Sequence, residues 1–165
     1  MVETVVTQKY SNLDELCAHI QLIERGNHST TKNWNAAQIF FHLAGAVEGS
    51  MNQLPSGYPR LVRIVVRPFR WIITRYRFPP WMPIPGSIKQ NLAPPDSSDF
   101  EEQKSRLLHV IGLFREFPKE HPPHPVLGAL TRDEWIGFHL RHCEHHLSFI
   151  KLSHSTRDAE NAGEY

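Results

Sequence analysis

The stretch that most limits what this chain can fold into is TRDEWIGFHLRHCEHHLSFIKL, residues 131 to 152, because it reads as a helix with imidazoles on one face. Thr131 and Glu134 stand at capping-box spacing, the arrangement in which a hydroxyl and a carboxylate satisfy the first free N–H groups of a helix. On a wheel turning about 100° per residue, Trp135, Phe138, His142, His146 and Phe149 share one face. His139 lies slightly off that face, His145 is displaced by about 80° from its centre, and Arg141 and Glu144 point away. A buried imidazole needs partners for its N–H and its lone pair. Whatever packs on this helix must therefore bring such partners.

The rest of the chain shows helical punctuation repeatedly and strand alternation almost nowhere, which predicts an all-α fold. SNLDELCAHIQLIE begins at Ser11 as an N-cap and repeats Leu13, Leu16, Ile20 and Ile23 at spacings of three and four. WNAAQIFFHLAGAVEGSMNQL carries Trp34, Ile39, Phe40, Leu43, Val47 and Leu54 without an internal proline and predicts a long second helix. RLVRIVVRPFRWIITRYRF places Arg60, Arg63, Arg67, Arg70 and Arg77 in one arc of about 100°, with Leu61, Val65, Phe69, Ile72 and Ile73 on the other side and a kink at Pro68. Six prolines in FPPWMPIPGSIKQNLAPPDSS exclude a regular helix and predict a long ordered loop, a kind of segment that often covers a site. A further helix opens at Ser98 and Glu101, again at capping-box spacing, with Leu107, Leu108, Ile111 and Phe114 inward. The last helix is expected to run to about Leu152.

One domain over residues 1–152 and a polar, frayed tail over 153–165 account for the length. Eighteen Lys and Arg against 17 Asp and Glu give no global case for nucleic-acid or membrane binding. Two distant cysteines are too few for a secreted disulfide framework, and MVETVVTQKY lacks a basic start followed by an apolar run. No stretch reaches about 18 uninterrupted apolar residues, so no transmembrane segment is expected. A cytoplasmic location follows as the expectation.

Two histidines one turn apart converge on a point above their helix and can share one divalent ion, but two ligands rarely suffice. A third candidate is His42, a lone polar residue within AAQIFFHLAGAVE. The competing reading is a hydrogen-bonded core histidine; beside His142 and His146, the ligand reading is preferred.

With these segments in view, NWNAAQIFFHLAGAVEGS and HPVLGALTRDEWIGFHLRHCEHHLSFI together resemble the DinB superfamily of metal-binding helical bundles, in particular its branch known as a domain of unknown function. The resemblance implies a four-helix up-down bundle of DinB/YfiT type, here with an additional short helix and the long proline-rich loop. It also implies that His42, on a W…Q…HL segment, and the H-x-x-x-H pair His142 and His146 are metal ligands, while His145 matches a frequent non-ligand histidine. Some relatives of that superfamily are thiol-dependent S-transferases and others resemble hydrolases, so the first expectation is a metal-dependent transferase acting on a small molecule with a low-molecular-weight thiol. A non-catalytic metal or small-ligand binding bundle, or a metal-dependent hydrolase, is the alternative. Three imidazoles suit zinc or nickel first and iron as well. A homodimer is also expected, since small bundles often pair through their apolar edges.

The remaining features have plainer readings. The arginine arc is expected to be a solvated helix face, with an anionic cosubstrate or a membrane surface as the alternatives. Cys143 is expected to be a small buried residue, and His121 and His124 to be turn residues, with a proton-shuttle role at the mouth as their alternative. Glu48, six residues beyond His42, has no assigned role.

Overall fold

The computed structural model describes residues 9–31, 33–52, 60–76, 94–95, 97–118 and 120–152. In chain order these form α1 (Leu13–Leu22), β1 (His28–Thr30), α2 (Ala36–Asn52), α3 (Arg60–Val66), a 3-10 turn (Arg67–Phe69), α4 (Arg70–Arg75), α5 (Phe100–Glu116), α6 (Arg132–Leu147) and β2 (Ile150–Leu152). The chain is mostly helical, in line with an all-α class. The proline-rich segment 77–93 and the tail 153–165 lie outside the described residues.

The apolar spacing sets the core. Leu13, Leu16, Ile20 and Ile23 are buried, and they meet Ile39, Phe40, Leu43 and Val47 of α2, Leu107, Ile111 and Phe114 of α5, and Trp135 and Leu147 of α6 in one cluster. The broadest helix contact is between α2 and α5. Each fully buried Leu, Ile or Phe contributes about 1.5–3 kcal/mol relative to exposure.

The starts of α1, α5 and α6 are each set by a side-chain cap, and two of these differ from the sequence reading. Asn12, not Ser11, caps α1 by accepting from Glu15 N–H at 2.9 Å. Asp99, not Ser98, caps α5 by accepting from Glu102 N–H at 3.0 Å, while the Ser98 hydroxyl donates to Pro95 O. In both cases a neighbouring side-chain oxygen takes the cap geometry, and spacing alone does not separate adjacent candidates. Thr131 and Glu134 do form the reciprocal capping box of α6.

The last helix ends at Leu147, earlier than expected. Beyond it, Ile150–Leu152 pairs antiparallel with His28–Thr30, Thr30 opposite Ile150 and His28 opposite Leu152, and Thr31 N–H donates to Phe149 O at 2.9 Å. This short ladder ties the end of α6 to the residues just before α2.

A second correction concerns Arg141 and Glu144, which do not point away into solvent. Both are buried and form an ion pair of 2.7 Å. Glu144 accepts from Tyr10 N–H at 2.6 Å, and Arg141 donates to Tyr10 O, so the pair grips both backbone groups of the residue leading into α1. Such a pair resists loss of one partner because the remaining charge would be buried uncompensated.

The third correction concerns the arginine arc. It is solvated only in part: Arg63 is half-buried, and although Arg67 and Arg70 are exposed, Arg70 donates to Ala129 O at 3.1 Å and pairs with Glu134 at 3.2 Å and the Arg67 guanidinium lies against Gly128, while the side chains of Arg60 and Arg77 lie outside the described residues. The docking of α4 on α6 requires Gly137, where an added Cβ would stand 2.5 Å from Thr74 O. Pro68 falls within the 3-10 turn between α3 and α4. Among the described residues no helix is long and apolar enough to cross a membrane.

Candidate metal centre

Two helices build the centre. His42 sits in the middle of α2 on its buried side, and His142 and His146 stand one turn apart on α6. One ring nitrogen from each of the three lies within 4.8 Å of the others. His42 Nε2 and His142 Nε2 are 3.2 Å apart. The ring centroids of His42 and His146 are 4.5 Å apart, and those of His142 and His146 are 4.8 Å apart. Three close histidines of this kind could hold a metal ion.

Electrostatics favour the form a ligand needs. Burial pushes the His142 imidazole well below its ordinary pKa, and the neighbouring His146 and His42 push it further. Burial first, then His42 and His145, brings His146 down to about 2. Near neutral pH both rings therefore keep lone pairs. His146 Nδ1 is buried without a hydrogen-bond partner, and a cation held by the cluster is the kind of neighbour such an imidazole lacks. The donor set thus fits a borderline divalent ion.

The walls are aromatic. Trp34 lies 5.0 Å from His42 and stacks on His146 at 6.0 Å, with Phe138 beside His142 and Phe149 edge-on to His146. Asn35 and Gln38 exchange side-chain to backbone hydrogen bonds, both 2.9 Å, which pins the start of α2 directly after Trp34. The β1–β2 ladder lies just before Trp34 and just after Phe149, so both walls are anchored. His142 is partly exposed, whereas His42 and His146 are buried. Trp34 as a wall was not legible from its place in an apolar repeat; its position immediately before the Asn35–Gln38 pair is the signal that could have found it.

The other sequence candidates fall elsewhere. His145 packs edge-on against His146 and Phe149 and is not one of the three converging rings. His139 is buried, with Nε2 3.0 Å from the Ser50 hydroxyl, which itself donates to Val47 O. That hydroxyl has its proton committed, so His139 donates from Nε2. His121 donates from Nδ1 to Ser50 O at 3.1 Å. His124 Nδ1 accepts from Val126 and Leu127 N–H, both at 3.1 Å, inside a turn closed by paired backbone bonds between His124 and Gly128. Cys143 is buried and its thiol is pushed up by burial. Glu48 pairs with Arg106 at 2.6 Å.

The geometry thus defines a helical protein with a tri-histidine cluster joining two helices. Residues 4–153 match the family described as protein of unknown function (DUF1569), and the chain belongs to that family. No curated protein and no solved structure matches it.

Proposed function

We propose that this protein is a DinB-like bundle that binds one divalent ion through His42, His142 and His146, and that the ion serves a reaction. The observation that supports this most is the convergence of three imidazoles from two helices, one of them partly exposed. Zinc and nickel are the first choices and iron the next, since imidazole suits all three. An ion held by three protein ligands keeps a position for an outside molecule and supplies Lewis acidity, lowering the pKa of a thiol or water placed there. The chain's own contribution is to hold three lone pairs at one point, to fix the rings of His42 and His146 against Trp34, and to keep water off one side with Phe138 and Phe149. Transfer to or from a low-molecular-weight thiol is the first reading. The second reading is a non-catalytic metal-binding bundle, favoured because among the described residues none but histidines joins the cluster, or else a metal-dependent hydrolase.

Cobalt substitution separates these readings. Titrating the cobalt protein with glutathione should produce a sulfur-to-metal charge-transfer band, because a soft thiolate competes well for a borderline metal. The band should be absent in His42→Ala. A fully loaded protein whose spectrum no small thiol changes would rule out thiol transfer and leave hydrolysis or plain metal binding. A protein that retains no stoichiometric metal would overturn the metal reading altogether.

A further inference from the structure

The helical run from Arg60 to Arg75 is built inside out. Its buried contact with the body is made through Thr74, whose carbonyl meets Gly137, with Ile73 and Val66 partly buried beside it. Arg63 and the head groups of Arg67 and Arg70 are used on that inner side. On the outer side, Leu61, Ile64, Val65, Phe69, Trp71 and Tyr76 each expose more than half of their surface. Water-facing apolar residues scattered singly are ordinary, but a contiguous set on one short run marks an interaction surface.

The charge around this face selects what covers it. Between Glu48 and Asp96 the chain has seven basic residues and no acidic one, whereas the remainder has 11 basic against 17 acidic. The near-neutral total therefore hides a strongly cationic segment that coincides with the exposed apolar face. A second copy of the chain would bring the same positive segment against it, which like-charge repulsion opposes. An anionic bilayer offers both complements at once: negative headgroups for Arg75, which is exposed within the apolar set, and an acyl boundary for the aliphatic side chains. Trp71 and Tyr76 are the residue types that settle at such a boundary. The run spans about 24 Å along its axis, enough to lie on a surface but not to cross one.

We propose that the outer face of Arg60–Arg75 docks in the plane of an anionic lipid surface, with Leu61, Ile64, Val65, Phe69 and Trp71 turned toward the acyl region. This makes the protein peripheral and reversible in its attachment, and it does not depend on the ion at the histidine cluster. A homodimer would have to use another face.

The test is co-sedimentation of the full chain with vesicles of phosphatidylcholine alone and of phosphatidylcholine with roughly one-third phosphatidylglycerol, a composition that creates a negative surface potential. Binding should be at least about tenfold tighter to the anionic vesicles and should weaken as salt shortens the Debye length from about 10 Å at 0.1 M. Ile64→Glu and Trp71→Glu should each lower it by about tenfold or more, and Arg75→Glu by about fivefold or more, since one basic residue near such a surface contributes about that factor. All three side chains are exposed, so the melting temperature should stay at the wild-type value; a variant that melts early is replaced by Ile64→Gln or Trp71→Gln, for which a smaller loss is still expected. Equal binding to both vesicle types overturns the charge argument. Absence of binding to either overturns the proposal. A dimer in solution that Ile64→Glu converts to monomer, with no vesicle binding by the wild type, assigns the face to a second copy instead.

Discussion

Two groups of histidines lie on neighbouring stretches of the same molecule, and they differ in what their nitrogens meet. His42, His142 and His146 face one another across α2 and α6, and their nitrogens converge on a shared point. His121, His124 and His139 are also part of the packed interior, stacked around Trp135, but the hydrogen bonds they make run to Ser50 or to a backbone turn. Burial depresses rings in both groups: His146 to about 2, His139 to about 3 and His124 to about 4. Neither burial nor a lowered pKa therefore distinguishes a candidate ligand from a structural histidine here. Convergence does: the nitrogens of His42, His142 and His146 gather within 4.8 Å, whereas His124 spends its lone pair on two N–H groups and His121 and His139 are directed to Ser50.

The sharpest way to break this contrast is to delete one ring from each group and measure both metal and stability. His142→Ala should weaken divalent-ion binding by on the order of a hundredfold or more, since two imidazoles hold an ion poorly. The metal-free protein should lose little stability, because the ring is partly exposed and its removal relieves crowding with two other histidines. Isothermal titration with zinc and thermal melts of the chelated protein check the two halves separately. A variant that keeps full affinity, or one whose metal-free form unfolds at room temperature, would move His142 into the structural group.

The converse deletion comes next in size. His124→Ala leaves the N–H groups of Val126 and Leu127 without an acceptor in a buried turn, and each such loss costs about 1–3 kcal/mol. A destabilisation of about 2–4 kcal/mol with zinc stoichiometry intact is expected from urea melts and metal analysis. His124→Asn should recover part of it, because a side-chain carbonyl can accept the same donors.

How far the sequence reveals this division depends on whether the deciding partner is local. That His142 and His146 lie close together was legible because one helical turn is a local rule, and His42 drew notice because a polar residue stood alone in an apolar repeat; the three do come together. The stripe Leu13, Leu16, Ile20 and Ile23 was legible for the same reason, and all four are buried. Arg141 and Glu144 were not, since a wheel gives the direction of a side chain but not that Tyr10 arrives from the far end of the chain to be gripped there. The arginine arc shows the same limit. The wheel grouped Ile73 with Leu61, Val65 and Phe69, yet Ile73 packs inward beside Thr74, and only the close approach of Thr74 to Gly137 decides which side is buried. The end of α6 was misplaced because Ile150–Leu152 follows its strand partner, His28–Thr30, rather than its own local pattern.

The structural histidines also predict a pH dependence. His124 and His139 have folded values near 4 and 3 against an ordinary 6.5, with burial the main cause, so the unfolded chain takes up protons before the folded one does. Stability is then flat with respect to these groups above about pH 6.5 and falls as pH drops below it, at up to about 1.4 kcal/mol per pH unit for each ring, until the folded rings protonate. Chelated protein melted between pH 7 and 4.5 (roughly the range the two shifts open) should show this loss. His139→Gln should make the profile shallower, since glutamine keeps a donor for Ser50 but binds no proton. An unchanged slope would mean that other groups carry the acid sensitivity.

The smallest effect tests where the first group ends. His145 touches His146 edge-on at 4.9 Å and belongs to the same helix turn, so proximity alone would count it as a fourth ligand. Its ring is not among the converging nitrogens; its role is to wall His146 together with Phe149 and, as a neighbouring imidazole, to disfavour charge on it. His145→Ala should therefore lower zinc affinity by less than about threefold, through a slightly looser His146 ring, a change below roughly 0.7 kcal/mol. The same substitution should leave the cobalt spectrum in place, because ligand number and geometry set its intensity. A loss as large as that of His142→Ala would show that the ion draws on His145, and the division between ligands and walls would have to be redrawn around α6 alone.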